Sequence, residues 1–150
     1  MLGSGNALAQ SAVVDMGVST DYGYLDVNGQ TSVLKAISGG GKIINSITPS
    51  TPDLTIGGSA VDAVFSGSIS GVRNVTKIGA NQQTFSGATS YLGNTIINGG
   101  TFVDAGNLPN TTGVIIGGGV FKAASADTVG YVEGNGTLEL AAGSNLTLGD

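Results

Sequence analysis

The chain has 150 residues, with 27 glycines, 3 prolines, no cysteine, histidine or tryptophan, and a net charge of −5 from ten acids and five bases. That length supports one domain with a real core, and 40% apolar residues against 10% charged ones is not the composition of a disordered chain. Lys35, Lys42, Arg73, Lys77 and Lys122 are too scattered for a nucleic-acid footprint, and without cysteine there is no disulfide framework and no thiolate site.

Residues 1–10 do not read as a signal peptide. They lack a basic segment, and Gly3 to Asn6 interrupts any apolar stretch. If the protein is exported, this chain is expected to be a piece of something longer. No apolar run approaches the roughly 18 residues of a membrane-spanning helix.

Strands are expected near 12–15, 24–28, 33–37, 42–46, 54–57, 61–66, 74–78, 83–86, 94–98, 101–104, 113–116, 119–123, 128–133, 137–141 and 145–148. These pieces are rich in Val, Ile, Thr, Leu and Phe, and Gly, Asn or Ser closes each one. Leu138-Glu139-Leu140 and Leu146-Thr147-Leu148 alternate, which puts one face inward and one in water. Glycine interrupts every candidate helix. Strands in groups of three per ~22 residues favour a stacked solenoid over a sandwich. Gly and Asn at the corners are expected to supply positive φ.

Longer similarities are also present. Ser38-Gly39-Gly40-Gly41-Lys42-Ile43 matches Glu133-Gly134-Asn135-Gly136-Thr137-Leu138 in pattern, and Asp53-Leu54-Thr55-Ile56-Gly57 matches Asn145-Leu146-Thr147-Leu148-Gly149. They suggest about one and a half copies of a unit of roughly 95 residues. A segment cut from such an array would leave Leu8, Val13 and Val14 at one end, and Leu146 and Leu148 at the other, on open rungs prone to self-association.

Residues 64–103 resemble the autotransporter passenger-associated β-strand repeat. The resemblance rests on Phe65-Ser66-Gly67-Ser68-Ile69-Ser70-Gly71, Thr76-Lys77-Ile78-Gly79, Ser86-Gly87-Ala88, Tyr91-Leu92-Gly93 and Thr95-Ile96-Ile97-Asn98-Gly99-Gly100-Thr101. Leu25-Asp26-Val27-Asn28-Gly29 resembles the strand often found between such repeats. The resemblance implies an all-β, right-handed parallel β-helix of about six or seven rungs. It implies one segment over 1–150, with a repeat core at about 64–103 and partial repeats at 1–63 and 104–150. It also implies a secreted or surface-displayed bacterial passenger, whose partners would be a C-terminal translocator barrel or neighbouring rungs of a longer chain; related repeats also occur in surface proteins without such a barrel. Gln82 and Gln83 depart from the family pattern, and Gln83 falls where an inward Leu is expected. A buried amide must find partners there, or the chain loses about 1–3 kcal/mol.

Some parallel β-helices cleave polysaccharides, using close carboxylates in one cleft. Here Asp15, Asp21, Asp26, Asp53, Asp62, Asp104, Asp127, Glu133, Glu139 and Asp150 are spread singly along the sequence. Glu133 and Glu139 could stack on one face, but separately solvated carboxylates on the strand faces are the favoured expectation. Tyr22, Tyr24, Tyr91 and Tyr131 form no evident sugar platform; Tyr91 and Tyr131 suit an exposed flank, but lateral packing over a corner is the favoured expectation. Gly39-Gly40-Gly41-Lys42 fails the phosphate-loop spacing at Ala36 and Ile43. The expectation is a structural stalk that is not an enzyme, with no catalytic, cofactor-binding or metal-binding residue assigned and no cofactor. The alternative is an adhesin-type module for a host glycan or matrix protein.

Overall fold

The computed structural model describes residues 13–17 and 23–149. The expectation for Leu8 lies outside the described residues. Eighteen short strands and no helix occur among the described residues, and every strand pair is parallel. The strands stack as a β-solenoid of about seven turns.

Three faces wrap the interior. The first carries Ser32–Leu34, Leu54–Gly57, Val75–Ile78, Thr95–Ile97, Gly113–Ile116 and Tyr131–Gly134. The second carries Ala63–Phe65, Gln82–Phe85, Thr101–Asp104, Val120–Ala123 and Thr137–Leu140. The third is more broken. It holds Tyr24–Asp26, Lys42–Ile44 and Ser68–Ile69, then Ala126–Val129 and Asn145–Leu148. Between these groups only the bridges Ser70↔Ser90 and Ala88↔Asn107 continue the third face. The Ala36–Ser38 strand pairs with Val13–Asp15, and it meets the second face through the Gly39↔Phe65 bridge.

Rung length changes along the axis. Ser32 pairs with Leu54, 22 residues on, Leu54 with Val75, 21 on, and Val120 with Thr137, 17 on. The expected spacing of ~22 holds at one end and tightens toward the other. The proposed 95-residue unit is not a structural unit. Lys42–Ile44 lies on the third face, whereas Thr137–Leu140 lies on the second. Leu54–Gly57 lies on the first face, whereas Asn145–Leu148 lies on the third. The matching pieces share corner chemistry, not position.

Two expected strands turn a corner in their middle. Residues 33–37 divide at Lys35 into Ser32–Leu34 and Ala36–Ser38, and residues 128–133 divide at Gly130 into Ala126–Val129 and Tyr131–Gly134. Ala36 and Ile37 are both buried, a break in alternation that marks the first division.

The interior is a set of columns. Phe65, Phe85, Phe102 and Phe121, all the phenylalanines of the chain, are buried in sequence. Their ring centroids lie 6.0, 4.8 and 6.2 Å apart from one rung to the next. The first two contacts are edge-on and the third is stacked, geometries that add to the burial itself. Register shows a sideways step within this ladder. Phe65 pairs with Phe85, but Phe85 then pairs with Asp104, while Phe102 stands above Gln83.

Gln83 does point inward and is fully buried, but it is not short of partners. Its Nε2 donates to the Ile37 carbonyl at 2.9 Å, and its Oε1 accepts from the Ile37 N–H at 3.2 Å. The residue directly between them in the stack is Ala63, whose small side chain leaves room for this reach. The amide thus completes main-chain hydrogen bonds of the Ala36–Ser38 strand, satisfying a group that an inward Leu would leave unmet.

Lys77 is the second polar intrusion. It stacks between Ile56 and Ile97 and is 1% exposed. Its Nζ donates to the carbonyls of Ile78, Gly79 and Gly99 and to Asn81 Oδ1, at 2.6 to 3.4 Å. The apolar stem fills the core while the ammonium staples a corner. Burial lowers the pKa of this lysine, and Asp62 partly offsets that.

The corner before the first face is built differently from expectation. Asn28 is the one described non-glycine residue with positive φ. Asn74 and Asn94 act through side-chain hydrogen bonds. Asp53 Oδ1 accepts from Asn74 N–H, Asn74 Oδ1 from Asn94 N–H, and Asn94 Oδ1 from Gly113 N–H, at 2.9 to 3.1 Å. One ladder therefore spans four consecutive rungs.

At the far end, Leu138, Leu140 and Leu148 are exposed, while Leu146 packs partly against the core. At the near end Val13 is exposed and Val14 is partly covered.

Candidate functional site

The sideways step of the phenylalanine ladder leaves an inward position unfilled by an aromatic ring, and Asp104 occupies it. Register sets Asp104 between Phe85 and small Ala123. The carboxylate is 0% exposed. Its Oδ1 accepts from Gly106 N–H at 3.3 Å, and its Oδ2 has no hydrogen-bond partner.

Asp127, from the third face, meets it and is 8% exposed. Its Oδ2 accepts from Leu108 N–H and its Oδ1 from Thr128 N–H, both at 2.7 Å. Asn107 brings its amide end to 3.0 Å from Asp127 Oδ1 and 3.1 Å from the Leu108 carbonyl, where the amide nitrogen would donate to both. Tyr91 closes the interior side. It is buried, and its hydroxyl hydrogen-bonds Thr95 Oγ1.

Electrostatics follow from this crowding. Burial, then the neighbouring Asp127 charge, pushes Asp104 up to about 7. Burial also raises Tyr91 well above the usual phenol range, and the two carboxylates add to that. Asp127 and Asn107 open onto a cleft of about 310 Å³, also lined by Asn110, Ala126, Thr128, Asn145 and Thr147. The lining is polar, and Asp104 lies behind it.

The acids are therefore not all isolated in space. Asp104 and Asp127 come together because 23 residues separate them: one local rung of 19 residues to Ala123, then four more around the corner onto the third face. That spacing was the available signal. Glu133 and Glu139 do not stack, since Glu133 is on the first face and Glu139 on the second. Tyr91 is not on the flank but inside. Tyr131 is 42% exposed, and its ring occupies the space above Gly113, where a Cβ would come within 2.1 Å of it.

A pH dependence follows. Asp104 has a folded-state pKa raised above its ordinary 3.8, so its contribution to stability is fully present below 3.8 and is lost as pH rises through about 7. In a chelator-containing buffer, thermal unfolding should show stability falling over that window. Asp104→Asn should flatten the slope and raise the melting temperature at the alkaline end.

No protein-family model matches the chain, and no solved structure matches it. One curated protein is similar: the adhesin BmaC autotransporter of Brucella suis biovar 1 (strain 1330), 35% identical over 83 residues. The match takes in 54% of this chain and 2% of that protein, so the chain spans a very small part of the relative's length. The similarity supports an adhesin-like bacterial surface passenger; membership of the particular repeat family does not follow from it.

Proposed function

We propose that the chain is a non-enzymatic shaft within a longer surface-displayed or secreted bacterial passenger, holding other regions away from the cell. The observation that carries this reading is the unbroken interior. The ladder from Phe65 to Phe121 and the parallel register bind successive rungs into one rod. Exposed Leu138 and Leu140, on a free strand edge, suit the stacking of further rungs. The paired Asp104 and Asp127 suit an enzyme poorly, because a catalytic acid or base must reach the substrate and Asp104 is buried and does not line the cleft.

A second reading is favoured by the cleft itself. Asn110, Thr128, Asn145 and Thr147 present amides and hydroxyls suited to a sugar, and the similar Brucella protein is named an adhesin. A binding screen of the purified chain against glycans and matrix proteins separates the two. The shaft reading expects no saturable binding, together with strong protease resistance. Saturable binding abolished by Asn110→Ala or Thr147→Ala would replace it with the adhesin reading.

A further inference from the structure

We propose that Asp104 and Asp127 bind one divalent cation of the calcium type, with the Asn107 side-chain oxygen and the Leu108 carbonyl as further ligands. Two separate observations carry this. The first is the Asp104 Oδ2, buried and without a hydrogen-bond partner, on a carboxyl that faces the Asp127 carboxyl. The other oxygen has only the long 3.3 Å contact from Gly106 N–H, and a buried carboxylate so weakly compensated is rare because uncompensated charge is costly.

The second is the amide end of Asn107, at 3.0 Å from Asp127 Oδ1 and 3.1 Å from the Leu108 carbonyl. With the amide oxygen turned to that position, three oxygens converge. Oxygens that share one calcium at about 2.3–2.6 Å are themselves roughly 2.8–3.5 Å apart, so the separations suit joint ligation. With the nitrogen turned there, the same atoms form hydrogen bonds and need no ion. The amide can thus serve a filled and an empty state by rotation about one bond.

Charge and access agree. Two carboxylates balance a double positive charge. Among the described residues no group of three or more His, Cys, Asp or Glu that could hold a metal occurs, so the proposed set has only two carboxylates and relies on amide and main-chain oxygens for the rest. That all-oxygen composition selects hard cations, and calcium accepts irregular geometry where magnesium demands a near-ideal octahedron. Asp127 and Asn107 line the cleft, so an ion and its remaining waters enter there. The competing arrangement is a single proton shared between the two carboxyls.

Thermal unfolding of the chain near neutral pH, in EDTA and in millimolar calcium, tests the site. Calcium should raise the melting temperature of the wild type, reversibly with EDTA, and calorimetric titration should find one ion per chain. Asp104→Asn should melt above the wild type in EDTA yet gain nothing from calcium. That crossing of signs cannot come from simple damage to the fold. Asn107→Ala, at the cleft mouth, should weaken calcium affinity by at least about tenfold, the loss seen even for outer partners of metal sites. No calcium effect on the wild type, a full effect in Asp104→Asn, or unchanged affinity in Asn107→Ala would each overturn the site and leave the shared proton in its place.

Discussion

Replacing Phe85 with alanine is expected to lower the unfolding free energy by about 3–5 kcal/mol, the usual cost of emptying a large buried aromatic site. Phe85 sits between Phe65 and Phe102, with its ring 4.8 Å from the latter, so truncation breaks two ring contacts as well as leaving a void. The surrounding rungs are fixed by parallel pairing on both sides, which limits collapse into the void. Urea unfolding should show a lower midpoint. Phe121→Ala should cost less, because its outer neighbour on the face is the partly exposed Leu138. Equal losses at the two sites would mean that the ladder does not share its load.

Gly57→Ala should be of similar severity by a different route. Gly57 has φ of +143°, and a Cβ there would lie 1.8 Å from the Ile78 carbonyl oxygen of the next rung. The backbone strain is worth roughly 1–3 kcal/mol and the overpacking roughly 1–3 more. The clash cannot be relieved by a side-chain rotation, since the obstacle is main chain in the paired strand. Gly58→Ala is the control. Its φ is +88° but nothing lies within 4 Å of the added atom, so only the left-handed backbone cost of about 1–2 kcal/mol applies. Chemical denaturation should rank wild type, Gly58→Ala and Gly57→Ala in falling order. A Gly58→Ala protein as weak as Gly57→Ala would remove the steric part of the argument.

The architecture was legible because corner residues and short apolar pieces report rung geometry directly. Phe65, Phe85, Phe102 and Phe121 recur at nearly one rung, and their spacing carries the stack without any coordinates. The finer phase was harder to read. A corner as slight as Lys35 leaves no glycine to mark it, so two strands read as one. Shared Gly and Asn chemistry made pieces from different faces look equivalent, which produced a long repeat that the topology does not contain.

The candidate site was largely hidden for one reason. Charged side chains are read as solvent-facing, and Lys77 and Asp104 are both inside. Whether an inward position tolerates a charge depends on what lies one rung above and below it. For Lys77 the answer is a cage of carbonyls, and for Asp104 it is the small Ala123 and a second carboxyl. The Lys77 acceptors on Ile78, Gly79 and Asn81 are local in sequence and only Gly99 lies a rung away, whereas both neighbours of Asp104 come from the next rung. Gln83 was recognisable as a departure, but its partner Ile37 lies 46 residues away.

The hydrogen-bond ladder through Asp53, Asn74 and Asn94 has a direction. In every link the side-chain oxygen belongs to the earlier rung and the N–H to the later one. A completed rung therefore presents a ready acceptor to its successor and asks nothing of it in return. Along this corner the solenoid is polar: every rung offers its side-chain acceptor toward the carboxyl-terminal side and its N–H toward the amino-terminal side, so its two ends are chemically unlike.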